Sequence, residues 1–217
     1  MKLSTKLTAI AIAFTGAIGG AQATALVANT PTSSVDVTGT FFGGSLVASA
    51  TTNIHNLSYQ GIARTAVYDT GTGLDFYYQF ASGTASVNGV ERFSAWDFSA
   101  LGTSVVNVFQ TNASNGFFTV GTEQSDYADR TGFGVIGFNF VANEHSKIDP
   151  GTTSFVQVIR TNARNYKAGN FGLLDGIGDN AAGFGVSAVP EPESYAMMLA
   201  GLGLMGAIAR RRKSKAT

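Results

Sequence analysis

An all-β body between two delivery segments is the fold class this sequence predicts, on three observations. First, side chains alternate at a period of two. Leu74, Phe76, Tyr78 and Phe80 are separated by Asp75, Tyr77 and Gln79; Ile136, Phe138 and Phe140 are separated by Gly137 and Asn139. A strand sends successive side chains to opposite faces, so this pattern reads as β. Second, turn-forming clusters recur between the apolar runs: Asp69-Thr70-Gly71-Thr72-Gly73, Asn88-Gly89, Asn115-Gly116, Asp149-Pro150-Gly151, and Asn170 with Gly172. Third, nothing between residues 24 and 188 sustains the 3.6-residue apolar period of a surface helix. Many short strands at near-regular spacing predict a β-sandwich.

Taken in chain order, residues 1–23 read as a secretory signal peptide. Lys2 and Lys6 supply a positive start, Leu7 to Ile18 a mostly apolar run, and Ala21-Gln22-Ala23 a small-x-small cleavage site. Ala23-Thr24-Ala25 offers a second cleavage frame. The body, residues 24–188, is long enough for one domain with a sizeable core. Its strands are expected at Val35–Phe42, Leu46–Thr51, Leu57–Tyr68, Leu74–Phe80, Arg92–Phe98, Val105–Gln110, Ile136–Phe140 and Phe155–Arg160. Asn88-Gly89 suits a type I′ hairpin between its flanking strands. Phe155-Val156-Gln157-Val158-Ile159 is apolar on both faces. It is expected centrally, one face toward the opposing sheet and the other under a loop or short helix.

Charge and composition exclude several functions. The body holds seven of the 14 basic residues and 12 of the 14 acidic ones, a net charge of −5. An acidic domain without a basic patch has no electrostatic footprint for nucleic acid. The chain has no cysteine, which rules out thiol catalysis, cysteine-ligated zinc and iron–sulfur clusters.

Specific catalytic constellations are missing as well. His55 and His145 are the only histidines, and no Gly-x-Ser-x-Gly elbow is present. Asp175-Gly176-Ile177-Gly178-Asp179-Asn180 reads as a glycine-rich loop. Asp175 and Asp179 are its candidate calcium ligands, being hard oxygen donors close in sequence. The EF-hand spacing and its distant Glu are absent, so no cofactor is expected beyond that candidate. Tyr77, Trp96 and Tyr166 are candidate surface rings for stacking on sugars, with most other aromatics assigned to the core.

The C-terminal segment, residues 189–215, has three parts. Val189-Pro190-Glu191-Pro192 keeps the chain extended, the shape a protease or transpeptidase binds. Tyr195 to Ala209 is 15 residues without a formal charge. As a helix it would span about 22 Å, short of the roughly 30 Å hydrocarbon core. Leu199, Leu202, Leu204 and Ile208 are its strongest apolar contributors and, with Tyr195, its expected anchor residues. At about −0.5 kcal/mol each, the four aliphatic residues supply about −2 kcal/mol of insertion energy. Arg210, Arg211, Arg212 and Lys213 then form a basic cluster that suits the cytoplasmic membrane face.

These residues together resemble the PEP-CTERM sorting signal of Gram-negative bacteria. The matching residues are Val189-Pro190-Glu191-Pro192, the segment from Ala200 to Gly206, and Arg210-Arg211-Arg212-Lys213. Glu193 departs from the small polar residue many members carry after the second proline. The resemblance implies processing near Pro190–Pro192 by an exosortase, a membrane-embedded transpeptidase, after export through the secretion translocon. It also implies a host that makes extracellular polysaccharide. The segments Leu74–Gln79, Val135–Phe140 and Ile159–Ala163 are similar to ones that recur in the bodies of such proteins.

The function expected is that of an exported, non-enzymatic surface or extracellular-matrix protein. It would be held briefly in the inner membrane with its C-terminus cytoplasmic, then act structurally or adhesively in a polysaccharide matrix. The alternatives are a carbohydrate-binding module and, from a different class, a matrix-sugar hydrolase.

Overall fold

A computed structural model describes residues 23–32, 34–39, 42–140, 147–188 and 196–206. Among these residues eleven strands form: β1 (Thr24–Leu26), β2 (Ser45–His55), β3 (Gln60–Asp69), β4 (Leu74–Ser82), β5 (Arg92–Ala95), β6 (Val106–Thr111), β7 (Tyr127–Arg130), β8 (Ile136–Asn139), β9 (Val156–Arg160), β10 (Tyr166–Asp175) and β11 (Ile177–Val186). They make two antiparallel sheets. One has six strands in the order β1-β6-β9-β4-β3-β2; the other has five, β11-β10-β5-β8-β7.

Alternation explains how the sheets meet. Phe76, Tyr78 and Phe80 of β4 share one buried cluster with Phe93 of β5, Phe138 of β8 and Phe171 of β10. Tyr78 of β4 meets Phe171 of β10 across the sandwich at 5.1 Å between centroids, and Phe171 packs edge to face on Phe93 of the neighbouring strand β5 at 4.9 Å, the arrangement ring quadrupoles favour. Two threonines seal one side of the sandwich. Thr65 Oγ1 donates to Ala182 O at 3.0 Å, and Ala182 N donates to Thr52 Oγ1 at 3.0 Å. Side chains of β3 and β2 thus satisfy backbone groups of β11, where a ladder does not form.

A second cluster covers the outer face of the six-stranded sheet. It joins Ala66, Tyr68, Tyr77, Phe109, Phe118, Val156 and Val158, with Phe42 and Phe117 packed against it. Strand β9 lies between β6 and β4, with Ile159 in the inter-sheet core and Val156 and Val158 in this outer cluster. The doubly apolar run therefore sits where expected. Tyr77 does not: it is fully buried rather than a surface ring. The outward face of β4 is not solvent-facing here, because the loop carrying Phe118 lies over it.

Buried amides pin the covering loops. Gln79 Nε2 donates to Thr119 O at 2.7 Å and Ser154 O at 3.0 Å, while its Oε1 accepts from Thr119 N at 3.0 Å. Gln110 does the same for a second loop, donating to Val35 O and Ser125 O and accepting from Ser125 N.

Several local expectations need correction. The described residues of Val35–Phe42 are not a strand. They touch β6 through one parallel bridge, Val37 with Gln110, and follow the edge of β6 where β1 leaves off. Leu57–Tyr68 begins as a strand only at Gln60, because Asn56 Oδ1 accepts from Ser58 N and Tyr59 N and closes a turn. Asn88-Gly89 is not a hairpin, since β4 and β5 belong to different sheets. Asn170 and Gly172 lie inside β10 rather than in a turn. Strands β1, β7, β10 and β11 were not expected.

Candidate functional site

The outer face of the five-stranded sheet carries a groove among the described residues. Strand pairing aligns Ser94 of β5, Gly172 of β10 and Asn180 of β11 in one row across three strands. Gly172, in the middle, has no side chain, so the row is a depression. Trp96 follows β5 directly and continues its pairing, with Trp96 N donating to Asn170 O at 3.1 Å. The resulting groove has a volume of about 310 Å³ and is lined by Ser94, Trp96, Gly172, Leu174, Asp179 and Asn180 among others.

Three groups converge on the glycine. A Cβ placed on Gly172 would stand 3.1 Å from Trp96 Nε1, 3.4 Å from Ser94 Cβ and 3.5 Å from Asn180 Oδ1. Neither Trp96 Nε1 nor the Asn180 carboxamide has a hydrogen-bond partner among the described residues. Trp96 is 45% exposed. Immediately after it, Asp97 adopts a left-handed backbone, φ 72°, a conformation that costs a non-glycine residue energy. Contacts on both sides hold Asp97 there: its carbonyl accepts from Val186 N at 2.9 Å, and its Oδ1 pairs with Lys167 Nζ at 2.9 Å.

Beside the groove, Arg92 spans β8 to reach β7. Its guanidinium donates to Asp129 Oδ2 at 2.5 Å and Oδ1 at 2.8 Å, and to Asn139 Oδ1 at 2.7 Å. These bonds hold the Asp129 carboxyl below the usual carboxylate range and raise Arg92. On the opposite sheet, Arg160 grips the fully buried Asp75 with two nitrogens. Burial pushes the Asp75 carboxyl up, and the arginine works against it.

The other residues singled out from sequence fall in scattered places. Tyr166 is part-exposed, but it packs edge-on against Phe184 at 5.8 Å and donates to Val47 O at 3.3 Å. His55 sits at the end of β2, 2.8 Å from Gln60 Oε1. His145 lies outside the described residues. The stretch from Asp175 to Asn180 is not a loop: Asp175 ends β10, Gly176 alone turns with φ 63°, and Ile177 starts β11. Asp175 is buried, accepts from Ser58 Oγ at 2.5 Å and pairs with Lys147, which also pairs with Glu91. Asp179 accepts from Asn180 N. Among the described residues no group of three His, Asp or Glu is placed to hold a metal ion.

At the ends of the chain, Ala23 precedes β1 directly, and Ala21 lies outside the described residues. Residues 196–206 are helical, with Leu199, Leu202 and Leu204 exposed. No helix among the described residues is long and apolar enough to cross a membrane. Val189, Pro190, Glu191, Pro192, Tyr195, Ile208 and the basic cluster Arg210–Lys213 lie outside them.

The groove was half legible beforehand. Trp96 was named as a surface ring, but Asn180 and Gly172 were read as turn formers, and only the three-strand register brings them together. No curated protein and no solved structure matches this chain. Residues 188–213, starting two residues after β11 ends, match a family model described as the PEP-CTERM protein-sorting motif. The chain carries that sorting motif, and is thereby marked as an exported protein handled by an exosortase, a membrane enzyme, before its release at the surface.

Proposed function

We propose that this chain is a non-enzymatic adhesive or structural β-domain of the cell surface or extracellular matrix, working in a polysaccharide matrix. The observation that carries this reading is where the sorting motif begins. Strand β11 ends at Val186 and the motif match starts at residue 188. A cut near Pro190–Pro192 therefore removes no strand of the described residues. At the other end, signal cleavage after Ala23 leaves β1 whole, whereas cleavage after Ala25 would take two of its three residues. Both delivery segments are thus separable from an intact sandwich.

In this account the translocon exports the body. The segment from Tyr195 to Ala209 holds it in the inner membrane with Arg210–Lys213 on the cytoplasmic side. An exosortase then cuts beside Val189–Pro192. The non-enzymatic assignment draws support from how three of the acids are used. Asp75, Asp129 and Asp175 are each occupied by a cation that ties one element to another.

The test is processing in a host with an exosortase. Replacing Pro190 and Pro192 by alanine is expected to accumulate an uncut, membrane-bound precursor, seen by immunoblot of membrane and surface fractions. Normal release of that variant would overturn the processing account. The adhesive role is tested separately: the mature wild-type protein should stay with washed matrix, and its full recovery in the wash would contradict that role.

A further inference from the structure

We propose that the groove beside Trp96 is a saccharide subsite, binding one or two neutral sugar rings of a longer polysaccharide chain. The proposal deepens the matrix-adhesion reading above and rests on it.

Chemistry selects the ligand. Gly172 leaves room for the edge of the Trp96 indole, whose Nε1 lies 3.1 Å from where a Cβ would stand, so a sugar ring would lie against the indole rather than on the glycine. The wall is an indole with much of its surface open to solvent. An aromatic ring offers an apolar π face and, in tryptophan, a polar N–H at its edge. A pyranose is complementary on both counts: one face presents C–H groups, and its rim presents hydroxyls that both donate and accept. Trp96 Nε1–H and the Asn180 carboxamide are the two polar groups already aimed over the glycine, and neither is used within the described residues. Such open groups are what a hydroxylated ligand would satisfy. A volume of about 310 Å³ is at the small end of ligand sites, roughly 300–1,000 Å³, which suits a short stretch of chain.

Charge narrows the class further. No lining residue is basic and one, Asp179, is acidic. The body as a whole is acidic, at −5. Uronate-rich and sulfated chains would be repelled, so the sugar is neutral. The positive φ at Asp97, with its ties to Val186 and Lys167, fixes the backbone next to the indole. The backbone that carries the ring is therefore set before ligand arrives, which lowers the ordering cost of binding.

Trp96 is the only tryptophan in the chain, so its fluorescence reports on the groove alone. Full-length protein in mild detergent would be titrated with neutral dextran, mannan and galactan oligosaccharides, and with alginate as the acidic control. At least one neutral oligosaccharide is expected to give a saturable change in Trp96 emission and protection from acrylamide quenching. Asn180→Ala keeps the fluorophore and should weaken that titration at least ten-fold. Trp96→Ala should lose retardation in gels containing the responding polysaccharide while keeping the wild-type melting temperature. Unchanged emission across the neutral panel would overturn the proposal, as would a response to alginate alone. Wild-type retardation of Trp96→Ala would overturn the groove and leave matrix adhesion standing. Conversely, saturable sugar binding at Trp96 by a protein its host's matrix does not retain would sink the adhesion reading and leave the groove.

Discussion

Asp129 accepts two hydrogen bonds from Arg92 and one from Asn139, and this gives its charge a measurable effect on stability. Its folded pKa is depressed below the unfolded value near 4. The stabilisation is therefore fully present above about pH 4 and is lost as pH falls through the folded value. Asp129→Asn should cost about 1–3 kcal/mol at pH 7 and flatten the acid limb of a melting-temperature profile; an unchanged acid limb would contradict the assignment. Gly137 belongs to the same unit. A Cβ there would stand 2.0 Å from Arg92 Nη2, so Gly137→Ala should dislodge the guanidinium. The two substitutions together should cost clearly less than the sum of each alone, measured by urea denaturation. At the alkaline end, burial raises Tyr59 to about 12, while its hydroxyl donates to Leu173 O at 2.7 Å. Its contribution is complete below about pH 10 and should fade as pH rises through 12.

Among the elements, those whose own side chains carry the β pattern were readable. β4 and β8 announced themselves by alternation, and β9 by apolar residues on both faces. Strands whose stability lies in their partners were not. β10 and β11 contain glycines at 169, 172, 178, 183 and 185 and only short apolar runs, yet they pair over ten consecutive positions. Backbone pairing between neighbours outweighs weak local preference. The reverse error came at Val35–Phe42, where suitable residues lack a neighbouring edge long enough to pair with. The outer cluster was invisible for a related reason: which sheet face a loop covers is a non-local fact. Its importance can be tested on Phe118, which is fully buried and stacks on Phe42 at 5.6 Å. Phe118→Ala should cost about 3–5 kcal/mol, read from the urea midpoint. Gln79→Ala should cost about 1–3 kcal/mol, because it strands Thr119 N and two carbonyls, and should raise protease cutting in the 112–125 loop.

For the molecule as a whole, a β body is followed by a C-terminal motif that directs its sorting. The sorting motif was legible because its chemistry is local: two prolines, an apolar run and a basic cluster must follow one another along the chain. The candidate ligand site was only partly legible because its three contributors, Trp96, Gly172 and Asn180, are brought together by strand register. Intact-mass spectrometry of the mature product, purified from the surface fraction of an exosortase-bearing host, tests the central claim most directly. The account predicts a polypeptide that begins at Thr24 and ends near Pro190–Pro192, with the basic cluster gone. A surface product that still carries residues 210–215 would contradict it.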